Sequence, residues 1–579
     1  MFSHLPKEFS INKLSEFTFG DPEAKEDPLL QSSFCNIKPV HEFLQSSGKS
    51  IVLGERGSGK SALFRLISEK KLAFKNDGKL KQIYVSIDED LEYFGLNEFL
   101  NRSIKDSSGK ATEKFRIAWE IFILNRMISE LRTHIKNDKS IEIIEAEFAQ
   151  SIGLDILAKA SLLDFLKNTK KTFGVKLEGG HTGFIIPNFY TSVEPSKDRS
   201  EIESESSLML DTVSIKAKIR EVLKRNKAVM FVLIDKLDEF VINAEYDLQK
   251  INLQALLETQ RNFQAHPEIK IKLFLRTDLF KRLDFESLGY DKIYSKTVEL
   301  KWTQSDIRQF IARRILHNMQ NIFKQKKFTF SWDHQKLHID QAYLKKESQL
   351  DEAYTNNQSG FFYKLKKWIN EWQIKRNLRT RDHYDARQTD LMDEIHTAFI
   401  TLFFPREVRH FNKKKVKVST DLTSFLNTHL SLGSGSTTPR IVLMYFEKCF
   451  ENSREYYRVN PDTNSVRLNS RSEYPLFHRD SMLEAYAELQ DIIWITFANL
   501  SNRWKSAALT LRTGLPNCNK SILVSYSDIQ KILNKKLLDE EITPFVAFYS
   551  HVGLLKCTNA QLQDEKRIYE IPILFQKLP

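Results

Sequence analysis

Five segments of the chain carry the pattern of strands: Ile51-Val52-Leu53, Lys81–Asp88 (KQIYVSID), Ala228–Ile234 (AVMFVLI), Ile269–Leu275 (IKIKLFL) and Lys296–Leu300. The third is apolar without a break, which is how a strand reads when both faces of its sheet are covered, the habit of parallel sheets. Between these segments the period changes. Leu63, Leu66 and Ile67 recur at helical spacing, as do Phe115, Ala118, Ile121, Phe122, Leu124 and Ile128 within Ala111–Ile135. Ser214–Arg225 predicts a further helix directly before the third strand. Strands alternating with helices predict an α/β domain over residues 1–300, a parallel sheet flanked by helices.

Residues 140–205 break the alternation and read as an insertion. They predict an acidic helix over Ile141–Ala149, a hairpin over Val175–Ile186 with Gly179-Gly180 as its turn, and a polar mobile loop over Ser196–Ser207. From Gln304 (QSDIRQFIARRI) the pattern is helical and is expected to stay mostly so to about residue 450, giving a helical lid region over 301–450. Within it Phe361, Leu365, Trp368, Ile369 and Trp372 form one stripe along Gly360–Leu378. Ser431–Thr438 (SLGSGSTT) is a loop, and Thr438-Pro439 predicts the cap and first residue of a helix over Pro439–Phe450.

The last segment, 470–579, predicts a winged-helix-like domain. A helix over Ser525–Leu538 precedes a second that starts at Thr543-Pro544 and ends near Gly553. Two strands, Leu554–Cys557 and Arg567–Ile573, follow around a polar turn. A helix that reads bases presents Arg, Lys, Asn or Gln. Here the second helix reads Phe545-Val546-Ala547-Phe548-Tyr549-Ser550-His551, which favours packing or protein contact. At the other end of the chain, Phe17–Ala24 and Asp27-Pro28-Leu29-Leu30 predict an ordered lead-in that either packs over a nucleotide base or simply covers the core.

Composition narrows the setting. No apolar run approaches bilayer length, and the start of the chain lacks the apolar core of a signal peptide, so a cytoplasmic protein without membrane contact is expected. Cys35, Cys449, Cys518 and Cys557 are scattered, which gives neither a disulfide scaffold nor a zinc spacing. The net charge is +12, and residues 361–420 hold 14 Lys/Arg against 7 Asp/Glu, so 14 − 7 = +7 of it lies there. Lys413-Lys414-Lys415-Val416-Lys417 is the densest run, either a solvated basic face or a grip on a nucleic-acid backbone.

The chemistry concentrates after the first strand. Gly54-Glu55-Arg56-Gly57-Ser58-Gly59-Lys60-Ser61, followed by Ala62, fits G-x-x-x-x-G-K-[ST], and with Gly at only 19 of 579 positions a chance match is rare. The glycines allow positive φ and close backbone approach, and the loop amides with the helix N-terminus direct partial positive charge at phosphates. Lys60 is expected to reach the β- and γ-phosphates and the Ser61 hydroxyl to ligate Mg²⁺. Asp235, at the end of the AVMFVLI strand, is expected to supply the acid that holds Mg²⁺, through water. Asp238 or Glu239 then orients water on the γ-phosphate, and Glu239 has the longer reach. Arg276 closes another strand at the same edge, where it can sense the γ-phosphate. No Asn-Lys-x-Asp follows, so ATP is favoured over GTP. A strand segment between the loop strand and Asp235 favours the ATPase class with an added central strand. Arg440 stands in a first helical turn, where its charge opposes the dipole, a hint of function.

The segments FTFGDPEAKEDPLL, GERGSGKSAL, VLIDKLDE, KLFLRTD, VELKWTQSDI and TPRIVLMYF, spread over residues 17–450, resemble those of bacterial P-loop ATPases of the STAND/AAA+ kind, found in phage defence and signalling. The resemblance implies a Walker A loop at 54–61 and a Walker B acid at Asp235, with Arg276 as sensor and Arg440 as a lid arginine toward the γ-phosphate. It implies an ATP-hydrolysing switch that answers to a protein effector or to further copies of itself. An alternative resemblance, to origin-recognition ATPases, implies DNA binding through 361–420 and the C-terminal domain. One position departs from the AAA+ pattern: Lys236 stands where Glu usually follows the Mg²⁺ acid. The D-x-x-D-E spacing resembles STAND switches instead, which implies slow hydrolysis.

Overall fold

The computed structural model describes residues 2–3, 8–75, 80–88, 108–136, 138–152, 175–179, 185–189, 212–237, 246–281, 283, 289–332, 335–340, 344, 381–405, 407–411, 417–460, 465–467, 476–501, 503–515, 522–559, 561–563 and 566–576. They divide into two compact units. The sheet unit comprises Glu42–Gly54 and Leu63–Glu299; the second comprises Met1–His41, Glu55–Ala62 and Leu300–Pro579. The lead-in, read from sequence as part of the first 300 residues, thus groups with the residues after Leu300.

The sheet unit is α/β. In chain order it holds β1 (Ile51–Gly54), α1 (Lys60–Ser68, from Leu63 onward), β2 (Lys81–Ile87), α2 (Ser108–His134), α3 (Thr212–Arg225), β3 (Ala228–Ile234), α4 (Tyr246–Phe263), β4 (Ile269–Arg276) and β5 (Thr297–Glu299). The five strands are all parallel, in the order β2-β3-β4-β1-β5. β4 therefore lies between β1 and β3, with Gly54 opposite Arg276 and Leu273 opposite Ile234.

Residue alternation assigns the two faces. Ile83, Val85, Met230, Val232, Ile271 and Leu273 pack with residues of α2, α3 and α4 in one buried core. On the other face Phe74 stacks on Phe231 at 4.3 Å, and Phe43 and Phe64 meet Phe274 edge-on at 5.8 and 5.6 Å. Each buried Phe of this kind contributes about 1.5–3 kcal/mol. Both faces being covered explains why AVMFVLI has no polar alternation.

Lys272 shares that second face and is 1% exposed. Its Nζ donates to the Lys49 carbonyl and lies 5.1 and 4.8 Å from the ring centres of Phe43 and Phe74. Burial, and secondarily the Lys270 charge, push its amine down to about 7. Between pH 7 and the ordinary lysine value the unfolded chain therefore holds a proton that the folded chain lacks, so stability rises with pH by up to about 1.4 kcal/mol per unit. Lys272→Met is expected to remove that slope. Urea titrations at pH 7 and pH 9 check it, and equal slopes in both proteins refute it.

In the second unit, α5 (Gln304–Phe323) opens with a capping box between Thr303 and Asp306. It buries two arginines, which fasten the lead-in. Arg313 donates to the carbonyls of Ser32, at 2.7 Å, and Phe34. Arg314 donates to Asp27 Oδ2 at 2.6 Å and to the Phe19 carbonyl. Asn318 brackets Thr18, accepting from its N–H at 2.8 Å and donating to its carbonyl at 2.6 Å. Gly20 has φ +87°, and a Cβ there would collide with Asp27 and Arg314. Phe17 and Phe19 then enter a cluster with Phe403, Phe404, Phe446 and Phe477, in which Phe404 stacks on Phe477 at 4.1 Å.

The region expected to be mostly helical holds two antiparallel strand pairs. β6 (Phe328–Trp332) pairs with β7 (Gln335–Ile339). After α6 (Arg381–Phe403), β8 (Glu407–Phe411) pairs with β9 (Lys417–Asp421). FTFSW and KVSTD alternate aromatic or β-branched residues with polar ones, a period of two that the surrounding charge obscures, whereas EVRHF breaks the period at Phe411. Lys417 opens β9. Lys413, Lys414 and Lys415 lie outside the described residues, as do Gly360–Leu378 and Ser196–Ser207. In the 140–205 stretch, the helix runs Lys139–Ile152 and the strands Val175–Gly179 and Ile185–Phe189 pair antiparallel.

α7 (Pro439–Val459) starts with Pro at its first turn, and α8 (Arg479–Ala498) packs along it. Beyond them come α9 (Lys505–Gly514), β10 (Ile522–Ser525), α10 (Tyr526–Leu533), α11 (Asp539–His551), β11 (Lys556–Cys557) and β12 (Ile568–Ile571). The three strands form an antiparallel sheet in the order β10-β12-β11. The helix expected over Ser525–Leu538 stops at Leu533, and α11 begins at Asp539 rather than Thr543, because Asp539, Glu540 and Glu541 suit a first turn. Among the described residues no helix is long and apolar enough to cross a membrane.

Candidate functional site

In the second unit the loop after Gly54 is built by its own backbone and by three later segments. Gly57 and Gly59 take φ of +78° and +97°, values that side-chain-bearing residues rarely adopt. The Ser58 N–H donates to the Glu55 carbonyl at 3.1 Å, and Lys60 Nζ donates to the same oxygen at 2.9 Å. Lys60 is thus folded over the loop and 8% exposed, whereas Ser61 is exposed on the first turn of α1.

Trp302 Nε1 donates to the Ser58 carbonyl at 2.8 Å. Ser436 Oγ donates to the Glu55 carboxylate. The Arg440 N–H donates to the Gly57 carbonyl at 3.3 Å, and a Cβ on Gly57 would stand 2.5 Å from Arg440 Cβ. Arg440 Nε also donates to the Pro22 carbonyl at 3.3 Å, so one residue ties loop, α7 and lead-in. Thr438 precedes α7 without a side-chain cap bond.

Arg56 and Arg440 also line a cavity of about 290 Å³ with Pro22, Leu432, Ile441 and Met444. Its acids include Glu447, whose carboxyl is raised by burial and by the charges of Glu451 and Asp21. The cavity combines two cations with an apolar wall beside the loop.

In the sheet unit the C-terminal edge gathers Gly54, Asp235 and Arg276. Asp235 is 3% exposed directly after β3, and its N–H donates to the Ile87 carbonyl at 3.0 Å, holding the acid on the line of the strand. Lys236 turns the chain away with φ +58°. Asp238 and Glu239 lie outside the described residues. Arg276 is gripped by Asp278: Nε donates to Oδ1 at 2.9 Å and an NH₂ group to Oδ2 at 2.8 Å, with the two side chains 8% and 7% exposed. A two-point pair of this kind fixes the guanidinium plane.

Sequence reasoning did not single out Asp278, Trp302 or Ser436. All three stand inside or beside segments with a visible motif (RTD, VELKWTQSDI, SLGSGSTT), but only folding shows which atoms they meet.

Each unit holds one oxygen donor of the kind Mg²⁺ takes: in the second unit the Ser61 hydroxyl is exposed at a helix start, and in the sheet unit Asp235 is a strand-end carboxylate. Mg²⁺ carried by a nucleotide needs only one or two protein oxygens. Among the described residues no three His, Cys, Asp or Glu side chains converge into a dedicated metal cage.

Comparison with known proteins gives a distant link. The chain is similar to the putative transposon gamma-delta 80.3 kDa protein of Escherichia coli (strain K12), 23% identical over 299 residues, which are 51% of this chain and 39% of that protein. The chain therefore spans well under half the length of that relative. No family model matches it, and no solved structure does.

Proposed function

We propose that the chain is a Mg²⁺-dependent P-loop ATPase of the STAND/AAA+ kind, working as a cytoplasmic switch in bacterial defence or signalling. The observation that carries the reading is the sequence Gly54–Ser61, leaving the C-terminal end of an inner parallel strand and running into a helix. The strand order supports it, since β4 stands between the loop strand and the strand ending at Asp235. The loop amides and Lys60 would bind the phosphates, and Ser61 with Asp235 would hold Mg²⁺, which neutralises phosphate charge when bound. The cavity of Arg56, Arg440 and Pro22 suits the base and ribose. Arg276, released from Asp278, would reach toward the γ-phosphate. Arg440, tied to both loop and α7, would pass the state of the loop to the residues that follow, and from there to a protein effector or another copy.

Glu239, or else Asp238, would take the proton of the attacking water. Glu239→Gln is expected to retain ATP while hydrolysis slows by about 10²–10⁴-fold. Single-turnover assays of Glu239→Gln and Asp238→Asn decide between them. A slow Asp238→Asn with Glu239→Gln near wild type reverses the two roles, and no Mg²⁺-dependent hydrolysis by the unmutated chain refutes the ATPase reading.

A second reading, a DNA-associated ATPase resembling origin-recognition proteins, is favoured by the +7 charge of residues 361–420 and by similarity to a protein whose name ties it to a transposon. The C-terminal segment, read as a winged helix, argues the other way. α11 exposes Thr543, Pro544, Ala547 and His551, with acids in its first turn. If the basic region grips DNA, replacing Lys413, Lys414, Lys415 and Lys417 with Ala should flatten the log-affinity against log-salt slope by up to about 0.9 per lost phosphate contact. Duplex titrations at two salt concentrations measure it, and an unchanged slope removes these lysines from DNA binding.

A further inference from the structure

The parallel sheet has a second end, away from Asp235 and Arg276. There, the first residues of β3 (Ala228, Val229) and of β2 (Gln82) open onto a cavity of about 620 Å³ within the sheet unit. Its size is that of a small-molecule site rather than of a groove for a polymer.

Among the described residues the lining charge is one-sided: Lys75, Lys224, Lys227, Lys270 and Lys272 stand against one acid, Glu268. Glu268 is shared between Arg220 outside the lining and Lys224 within it: Oε2 accepts from Arg220 Nε at 3.0 Å, and Oε1 is 4.0 Å from Lys224 Nζ. Bringing like charges together costs energy, most of all at a buried position. Buried lysines ordinarily pair with a carboxylate. Lys272 instead has a carbonyl and two ring faces, and its amine is disfavoured in the charged form by burial and by Lys270. The floor is apolar, with Phe74 stacked on Phe231 at 14°.

We propose that this cavity is a second anion site, for a small molecule carrying two or more linked phosphate groups. The lysines would compensate the phosphates, and the Phe74–Phe231 floor would accept an apolar or flat remainder. The site is built from residues that the phosphate loop does not use, so it stands whether or not that loop hydrolyses ATP.

Tripolyphosphate, titrated calorimetrically into the full chain without Mg²⁺ at fixed ionic strength, tests it. The Lys60→Ala chain serves as background, to mute the loop. One binding event is expected there, weakened about tenfold by Lys227→Glu and again by Lys270→Gln, the scale of one charge-assisted contact each. Lys227 is exposed and Lys270 half-buried, so both variants should fold; matching thermal midpoints establish that. A short single-stranded oligonucleotide forms the second arm. Absence of tripolyphosphate binding, equal binding by the lysine variants, or binding of the oligonucleotide alone would each overturn the proposal. Loss of ATP binding in the lysine variants with an intact Lys60 would overturn it as well, since the two sites would then be one.

Discussion

Lys60→Ala is expected to cut ATP hydrolysis by about 10²–10³-fold, the effect of removing one preorganised charge from a phosphate-transfer site. ATP affinity should fall by about ten- to a hundredfold with it, because a charge-assisted contact contributes about 1.5–3 kcal/mol. The fold should survive. Lys60 Nζ donates to the Glu55 carbonyl, and that oxygen keeps a second donor, the Ser58 N–H. Unfolding should therefore shift by no more than about 1 kcal/mol. Calorimetric ATP titration, a coupled phosphate-release assay and a thermal melt on the same preparation make the test. A folded variant with wild-type affinity and rate refutes the nucleotide assignment of residues 54–61.

The largest expected effect on stability comes from Asp27. Its carboxylate and Arg314 are each 3% exposed, and the pair sits at 2.6 Å. Asp27 Oδ1 also accepts from the Leu29 N–H at 3.0 Å. Asp27→Ala strands a guanidinium inside the second unit with the Phe19 carbonyl remaining to it from this network. Removing one partner of such a buried pair costs about 3–5 kcal/mol. Asp27→Ala combined with Arg314→Met should recover most of that loss, because the double variant leaves no charge buried. Urea titrations of the two single variants and the double close the cycle. Additive losses would show that the ion pair is not what holds the lead-in. ATP affinity should fall in Asp27→Ala as well, since Pro22 and the Arg440 contact belong to the same lead-in.

Periodicity and one short motif determined a good deal of this protein. The sheet strands could be read from sequence because their neighbours in the fold require apolar side chains on both faces, and that requirement is written locally as AVMFVLI and IVL. The turn at Gly54–Ser61 could be read because Gly57 and Gly59 take backbone conformations that other residues rarely adopt, so their spacing carries the local geometry. Asp235 and Arg276 followed from standing at strand ends. FTFSW, EVRHF and KVSTD were less legible: five-residue strands offer too few periods to outweigh a charged, helix-like setting.

Only the tertiary structure decided the order of the strands, because parallel pairing joins residues far apart in sequence and leaves no local trace. The same holds for the partners of the site. Arg276 is readable as a strand-end arginine, but its two-point pair with Asp278 depends on rotamers and burial. Arg440 is readable as an ill-placed charge, but its contact with Gly57 joins positions separated by most of the chain. Gly20 shows the limit most clearly. Its glycine is visible in the sequence, and the reason for it, the Asp27–Arg314 pair occupying the space a side chain would need, exists only once α5 has folded against the lead-in.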